Sequence, residues 1–339
     1  MKHVMIIAEA GVNHNGDLTR ALAMIDTAAA CGADAIKFQT YRTGHLTRRA
    51  SPKAEYQKRE HPGETQFEML KRFELPDNDF RTLFEACSQA GIMFLSTPFD
   101  LPSVDLLQAI GVTTWKLPSG AITDLPYLRR LGSLGQKIIL STGMATMDEI
   151  QRCLEVLTNA GTGLNDITVL HCTSEYPAPP EEVNLTAMLT IRERFHVTAG
   201  YSDHTEGIDI PIAAAALGAS VIEKHFTLDK TLPGPDHRAS LDPDELRRMV
   251  AAIRRIEIAL GDGKKIPTPS ELKNIPIVRK SIVAALHIKK GEEFTEQNLT
   301  TKRPGTGLSP MEWDRLIGTR AAREYQPDDF IELEPGHDA

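Results

Sequence analysis

No stretch of this 339-residue chain approaches the roughly 18 consecutive apolar residues that cross a bilayer, which excludes a helical membrane span. No basic block or arginine stripe is present either. The 46 Asp and Glu outnumber the 38 Lys and Arg, the net charge is -8, and the footprint of a nucleic-acid binder is missing. Cysteine is scarce: Cys31, Cys87, Cys153 and Cys172 show no CxxC spacing. Three fall in helical patterns and one ends a strand-like run, so they read as reduced packing residues rather than zinc ligands or disulfides. Room for a signal peptide is lacking, because the first strand-like run starts within four residues of Met1, and a cytoplasmic protein is expected. Any anionic ligand must then be held by a few local cations.

What the chain does contain is a recurrence. Eight short apolar runs end in polar or charged side chains: VMIIAEAG at Glu9, AIKFQ at Lys37 and Gln39, MFLSTP at Ser96, TTWKLPSG at Lys116 and Ser119, KIILSTG at Ser141, ITVLHCTSEY from His171 to Tyr176, VTAGYSDH at His204, and SVIEKHF at His225. Helical patterns alternate with them; the first starts at Asp17, a good N-cap, and closes at Gly32. Such alternation predicts an α/β protein, a (β/α)8 TIM barrel over residues 1–262, whose strand ends converge on one mouth. The strand ends are therefore the candidate site.

Two segments interrupt the pattern. After the second run, YRTGHLTRRASPKAEYQKREHPGETQFEML precedes a helix expected near Asp79. Loops this long are commonly binding loops, and its cations with Tyr41, Tyr56 and Gln57 can cover a sugar or phosphate, or simply be solvated. Later, GDGKKIPTPSELKNIP reads as a linker over 263–276, and the short β-like runs beyond it as a small β-rich domain over 277–339.

Several side chains carry chemistry in this frame. His204 and His225 end adjacent barrel strands and can share one cation, without distinguishing zinc from manganese or magnesium; the alternative is a hydrogen-bonded histidine pair. His14, His171 and His237 are weaker candidates of the same kind. Lys37, Lys116, Lys224 and Lys280, with the Ser119 and Ser141 hydroxyls, suit a phosphate or carboxylate, against the alternative of salt-bridged structural lysines. Glu9 can act as a base or orient a water, or be the partner of Lys37. Asp236 sits on the tight PGPDHRAS turn, where a plain surface carboxylate is the competing reading.

Read together, IIAEAGVNHNGD, IKFQTY, SPKAEYQ, FLSTPFD, WKLPSG, ILSTGMAT, LHCTSEYP, GYSDHTEG, VIEKHFTLDK, GPDHRASLDPDEL, VRKSIVA and TTKRPGTGLSP closely resemble the bacterial sialic acid synthase family, from Ile6 to about Gly318. That family includes N-acetylneuraminate and legionaminic acid synthases. The resemblance implies a TIM barrel joined to a C-terminal antifreeze-like SAF domain (β-clip) in a domain-swapped homodimer. It also implies condensation of phosphoenolpyruvate with an N-acetylmannosamine-type aldehyde and water, with a divalent cation, manganese foremost and magnesium or cobalt as alternatives. Position by position, it assigns the metal to His204 and His225. It gives phosphoenolpyruvate to Lys37, Lys116, Ser119, Ser141, Ser174, Ser202 and Lys280, and the sugar to Gln39, Tyr176, Asp236 and Arg303, the last from the neighbouring subunit. Glu9 takes proton transfer or guides water attack. The text around PSGAITDLPYLRR, GYSDHTEGI and LGDGKK leans toward the legionaminic acid branch.

One catalytic position departs from the pattern. Where the family usually reads PSGE, this chain has Ala121, which cannot bind the sugar or move a proton as a glutamate would. Either turnover is disabled, or another acid such as Asp124 compensates. Two rival functions remain in view: a condensation that makes seven- or eight-carbon keto acids from sugar phosphates, and a binding protein that has lost turnover.

Overall fold

The structure, a computed structural model, describes residues 3–58 and 63–333, apart from the side chains of Tyr56 and Lys58. The chain divides into two compact units, 1–262 and 263–339. In the first, all eight apolar runs form strands: β1 (Met5–Gly11), β2 (Ala35–Thr40), β3 (Met93–Pro98), β4 (Thr114–Leu117), β5 (Lys137–Ser141), β6 (Ile167–Cys172), β7 (Thr198–Asp203) and β8 (Val221–His225). They pair in parallel in the order β3-β2-β1-β8-β7-β6-β5-β4, and the two ends of that order, β3 and β4, pack side by side to complete a TIM barrel.

The helices between strands are α1 (Leu18–Ala30), α2 (Thr43–Leu46), α3 (Gln66–Phe73), α4 (Asp77–Ala90), α5 (Leu101–Ile110), α6 (Leu125–Gly132), α7 (Met147–Ala160), α8 (Ala187–Phe195), α9 (Asp209–Ala216) and α10 (Pro243–Ala259). Local chemistry sets where they start. Asp17 caps α1 by accepting from the backbone of Thr19 and Arg20, and reciprocal capping boxes open α3 (Thr65 and Glu68), α7 (Thr146 and Glu149) and α10 (Asp242 and Glu245). The excursion after β2 is thus partly helical: α2 and α3 lie inside it, and α4 begins at Asp77 rather than Asp79.

Strand alternation stacks the barrel interior in tiers. The lowest is an apolar plug of Ile7, Ala35, Leu95, Ile139, Leu170 and Val221. Gly200 belongs to the same tier; a Cβ there would meet the Val221 carbonyl at 2.5 Å and Leu170 at 2.7 Å, so the plug leaves no room for a side chain. Two residues further along each strand stands a polar tier, and two further again the mouth. Outward positions such as Ile6, Ile36, Trp115, Ile138, Val169 and Ile222 pack against the helices.

The second unit holds α11 (Pro269–Leu272), α12 (Ile275–Val278), β9 (Ser281–Ala284), β10 (Leu299–Lys302) and α13 (Trp313–Leu316); β9 and β10 pair antiparallel. Its core gathers Ile282, Ile288, Phe294, Leu299, Leu316 and Tyr325. The stretch expected as an irregular linker contains α11. Thr268 and Glu271 form its capping box with Pro269 in the first turn, a start signal that its prolines masked in the sequence. Among the described residues no helix is long and apolar enough to cross a membrane.

Candidate active site

Two residues above the apolar plug, the polar tier consists of Glu9, Lys37, Thr97, Lys116, Ser141, Cys172, Ser202 and Glu223, each buried. Glu9 and Lys37 are register partners on β1 and β2, and Lys37 Nζ lies 2.7 Å from Glu9 Oε2, 3.0 Å from Thr97 Oγ1 and 3.8 Å from Glu223 Oε2. Lys116 Nζ donates to Ser141 Oγ at 2.7 Å and lies 3.4 Å from Glu223 Oε1, which also accepts from Ser202 at 3.0 Å. Two ammonium groups and two carboxylates therefore share one buried floor.

The two carboxylates are not equivalent. Burial raises the Glu9 carboxyl to about 7, with Lys37 only partly opposing it and Glu223 adding to the rise. Burial acts on Glu223 too, but Lys116 and Lys37 together outweigh it and hold that carboxyl at about 2. Burial draws Lys37 down, yet Glu223 and Glu9 leave it above its ordinary value; Lys116 ends below, through burial and the neighbouring Lys37 charge. Glu223 is the fixed anion and Glu9 the group that can exchange a proton, the separation of roles expected of paired acids in a catalytic site.

At the mouth, two residues beyond Ser202 and Glu223, stand His204 and His225, with ring centroids 5.5 Å apart. The Tyr176 ring lies 4.1 Å from His204 and 5.4 Å from His225, centroid to centroid. His204 Nδ1 donates to the Thr173 carbonyl, which leaves Nε2 as a lone-pair donor. His225 Nδ1 is buried without a hydrogen-bond partner. Burial lowers His204 to about 4 and His225 well below its usual value, so both rings are neutral near pH 7, the form that ligates metals. Gly11, at φ +52°, completes this corner: a Cβ there would press on Glu9 Oε1, Gln39 Nε2 and His225 Cε1 at 3.3 to 3.4 Å. An orphaned imidazole nitrogen beside a second oriented imidazole fits a divalent cation. Among the described residues no cluster of three or more His, Cys, Asp or Glu is arranged to hold a metal.

The tiers open into one cavity of about 430 Å³, the size of a small-ligand site. Glu9, Lys37, Gln39, Lys116, Ser119, Ser141, Ser174, Tyr176, Ser202, His204, His225 and Asp236 all line it. Gln39 Nε2 donates to Glu9 Oε1 at 3.2 Å, Ser119 Oγ accepts from the Gly143 amide at 2.9 Å, and burial raises Asp236 to about 6. Glu223 and Thr97 went unnamed in the sequence; the signal for both was their place one alternation step before the mouth residues. The excursion after β2 supplies a largely apolar wall of Leu46, Met69, Leu70 and Phe73, with Tyr41 and Gln57 also lining the cavity. Tyr56 lies outside the described side chains.

The remaining expectations meet different outcomes. Ala121 does not line the cavity; it is half-buried in the turn after β4 and packs against the main core, although its neighbours Ser119 and Gly120 do line it. Asp124, the alternative acid, does not line the cavity, and its carboxylate caps α6 by accepting from the Tyr127 amide. Lys224 is not a mouth cation, since alternation turns it outward to Asp203. His14 accepts from the Gly16 amide, His171 meets the Val183 carbonyl, and His237 bridges Thr227 and Asn15, so these three are structural. All four cysteines are buried and unpaired. Lys280 and Arg303 belong to the second unit, where Lys280 is exposed and Arg303 Nε donates to the Val278 carbonyl at 2.9 Å.

Comparison with known proteins places this geometry. The NeuB family profile matches residues 24–265 and the SAF domain profile residues 279–333. The N,N'-diacetyllegionaminic acid synthase of Campylobacter jejuni is 52% identical across 98% of this chain and 99% of its own, and that of Legionella pneumophila 46% identical across 93% and 89%. The crystal structure of N-acetylneuraminic acid synthetase from Leptospira borgpetersenii, in complex with citrate, superposes with a TM-score of 0.71 at 38% identity, covering 80% of this chain and 90% of that one. A barrel whose strand ends carry this charged floor and histidine pair, followed by a SAF domain, belongs to the NeuB family of sialic acid synthases.

Proposed function

We propose that this chain condenses phosphoenolpyruvate with 2,4-diacetamido-2,4,6-trideoxymannose and water to give legionaminate and inorganic phosphate, with N-acetylmannosamine as the poorer alternative sugar. The observation that carries the reaction is the Lys37 and Lys116 floor beneath the His204 and His225 mouth in a single cavity. The choice of sugar is supported by two relatives named N,N'-diacetyllegionaminic acid synthase and by the apolar wall of Leu46, Met69, Leu70 and Phe73, which suits a C6 methyl and acetamido methyls better than hydroxyls.

Lys37 and Lys116, with Ser119, Ser141, Ser174 and Ser202, would hold the phosphate and carboxylate of phosphoenolpyruvate. His204 and His225 would hold a divalent cation, manganese foremost, which when bound supplies Lewis acidity at the sugar aldehyde. The enol carbon bonds to the aldehyde carbon, water adds at C2, and the C2–O bond to phosphate breaks. As its oxygen becomes the C2 carbonyl the water loses two protons, one leaving with the phosphate and the other going to the aldehyde oxygen. Glu9, near its midpoint at neutral pH, is the residue suited to handle that proton, and the lysine floor keeps the enol phosphate oriented while Gln39, Tyr176 and Asp236 hold the sugar. Lys280 and Arg303 keep the contacts that the family resemblance gives them, in a domain-swapped cytoplasmic homodimer.

Phosphate release with manganese and phosphoenolpyruvate, offered the two mannosamine-type sugars in parallel, tests this reading. The diacetamido sugar should turn over faster; release only with arabinose 5-phosphate or erythrose 4-phosphate would transfer the chain to the sugar-phosphate condensations. The Ala121 methyl stops short of the cavity that its neighbours Ser119 and Gly120 line, so the acid the family resemblance expects there is missing; the parent should turn over slowly, and Ala121→Glu, with its longer side chain, should raise kcat by about 10²-fold, the usual worth of a positioned general acid. Equal rates for the two proteins would remove that role. If instead calorimetry finds both substrates bound tightly and no phosphate appears even in the Glu variant, the chain is a silent binder.

Gly143 offers an independent probe. A Cβ at this position would lie 2.1 Å from Ser174 Oγ, 3.0 Å from Ser119 Oγ and 3.1 Å from Cys172 Sγ. Gly143→Ala must therefore turn the Ser174 hydroxyl away, and KM for phosphoenolpyruvate should rise about tenfold, one lost hydrogen bond to a charged group. An unchanged KM would take Ser174 out of the anion seat.

A further inference from the structure

Beneath the two mouth histidines, on the outward side of the barrel wall, lies an ion pair that the reaction does not use. Asp203 and Lys224 are register partners at the ends of β7 and β8, and both side chains are fully buried. Their inward neighbours Ser202 and Glu223 line the cavity, and the outward series they continue, Tyr201 and Ile222, is core. Asp203 Oδ1 accepts from the Tyr201 hydroxyl at 3.0 Å, the Thr205 amide at 3.2 Å and the Thr205 hydroxyl at 2.9 Å. Lys224 Nζ donates both to Asp203 Oδ2 and to the Thr205 carbonyl. His204 is thus held at the apex of a loop whose two flanking residues are tied together, and the same ammonium ties that loop to the residue immediately before His225. Burying two charges costs more than an apolar pair packed at the same positions, so stability alone does not account for this arrangement.

We propose that Asp203, Lys224 and Thr205 form a positioning clasp that fixes the backbone bearing His204 against the backbone bearing His225, and thereby sets the affinity of the histidine pair for a divalent cation. The inference rests on the reading of that pair as a metal site. These residues do not reach the cavity; they act through the histidines, as outer partners of metal ligands do, where loss of one weakens binding by about 10- to 100-fold.

The test uses the full chain and manganese alone, with free Mn2+ followed by electron paramagnetic resonance. Lys224→Met strands a buried carboxylate and is expected to melt early, so the decisive variant is Asp203→Asn with Lys224→Met, which removes both charges together. It should melt close to the parent, keep the parent's metal-free affinity for phosphoenolpyruvate within about twofold, and bind manganese about 10- to 100-fold more weakly. Thr205→Val, a milder change, should weaken manganese about three- to tenfold. Parent-like manganese affinity in both variants overturns the clasp, as does an equal loss of phosphoenolpyruvate affinity, which would mark a general structural role. If the parent itself binds no manganese, the metal reading of His204 and His225 falls first and the clasp with it; a parent that binds, beside variants that bind equally, rejects the clasp alone.

Discussion

His225→Ala is expected to lower kcat/KM by about 10³-fold, because Lewis-acid activation of a carbonyl contributes several kcal/mol and each 1.36 kcal/mol is a factor of ten. The ring makes no Nδ1 hydrogen bond that folding would miss; the Tyr176 and His204 rings pack beside it, and the nearest carboxylate, Asp236 Oδ2, stands 3.9 Å from Nδ1. Folding should therefore suffer far less than activity, and the melting temperature should stay within a few degrees of the parent's. Chelation of the parent should reproduce the loss, and added manganese should restore the parent but not the variant at the same concentration. A variant that keeps the parent's rate and the parent's manganese requirement would exclude His225 as a ligand.

Lys116→Met should cut kcat/KM for phosphoenolpyruvate by about 10²- to 10³-fold, the cost of removing a donor aimed at the charge of a reacting anion. It should also destabilise the fold by about 3 kcal/mol, since it leaves Glu223 buried without the cation that does most to keep it ionised. The two effects can be separated. Adding Glu223→Gln removes the stranded charge, so the double variant should regain much of the lost melting temperature while kcat/KM stays down. Recovery of activity alongside stability would mean that Lys116 serves only to neutralise Glu223.

The barrel was legible because each strand announces itself twice, by an apolar run and by the polar residue that ends it. Asp17 and Gly32 bracket the first helix for reasons of cap chemistry alone, and the histidine pair follows from adjacent strand ends. What stayed hidden depends on which way a side chain turns. Lys224 and Glu223 are neighbours in VIEKHF, yet one faces the helices and the other the cavity, and without the register of β8 the sequence assigned the mouth role to the lysine. Helix α3 was missed because its capping box lies inside a charged, polar stretch that reads as loop. Asp124 resembled a spare acid until its amide partner on α6 was visible.

The excursion after β2 has a small hydrophobic centre of its own: Met69 and Phe73 of α3 close on Val12, apart from the main core of the barrel. The charged residues proposed to seat the enol phosphate and move protons thus stand on strands, while the apolar wall proposed to face the sugar's substituents is borne largely by an appended module. Exchanging residues 41–76 between relatives that take different aldoses should then transplant sugar preference as a cassette, with the enol phosphate seat inherited unchanged from the recipient.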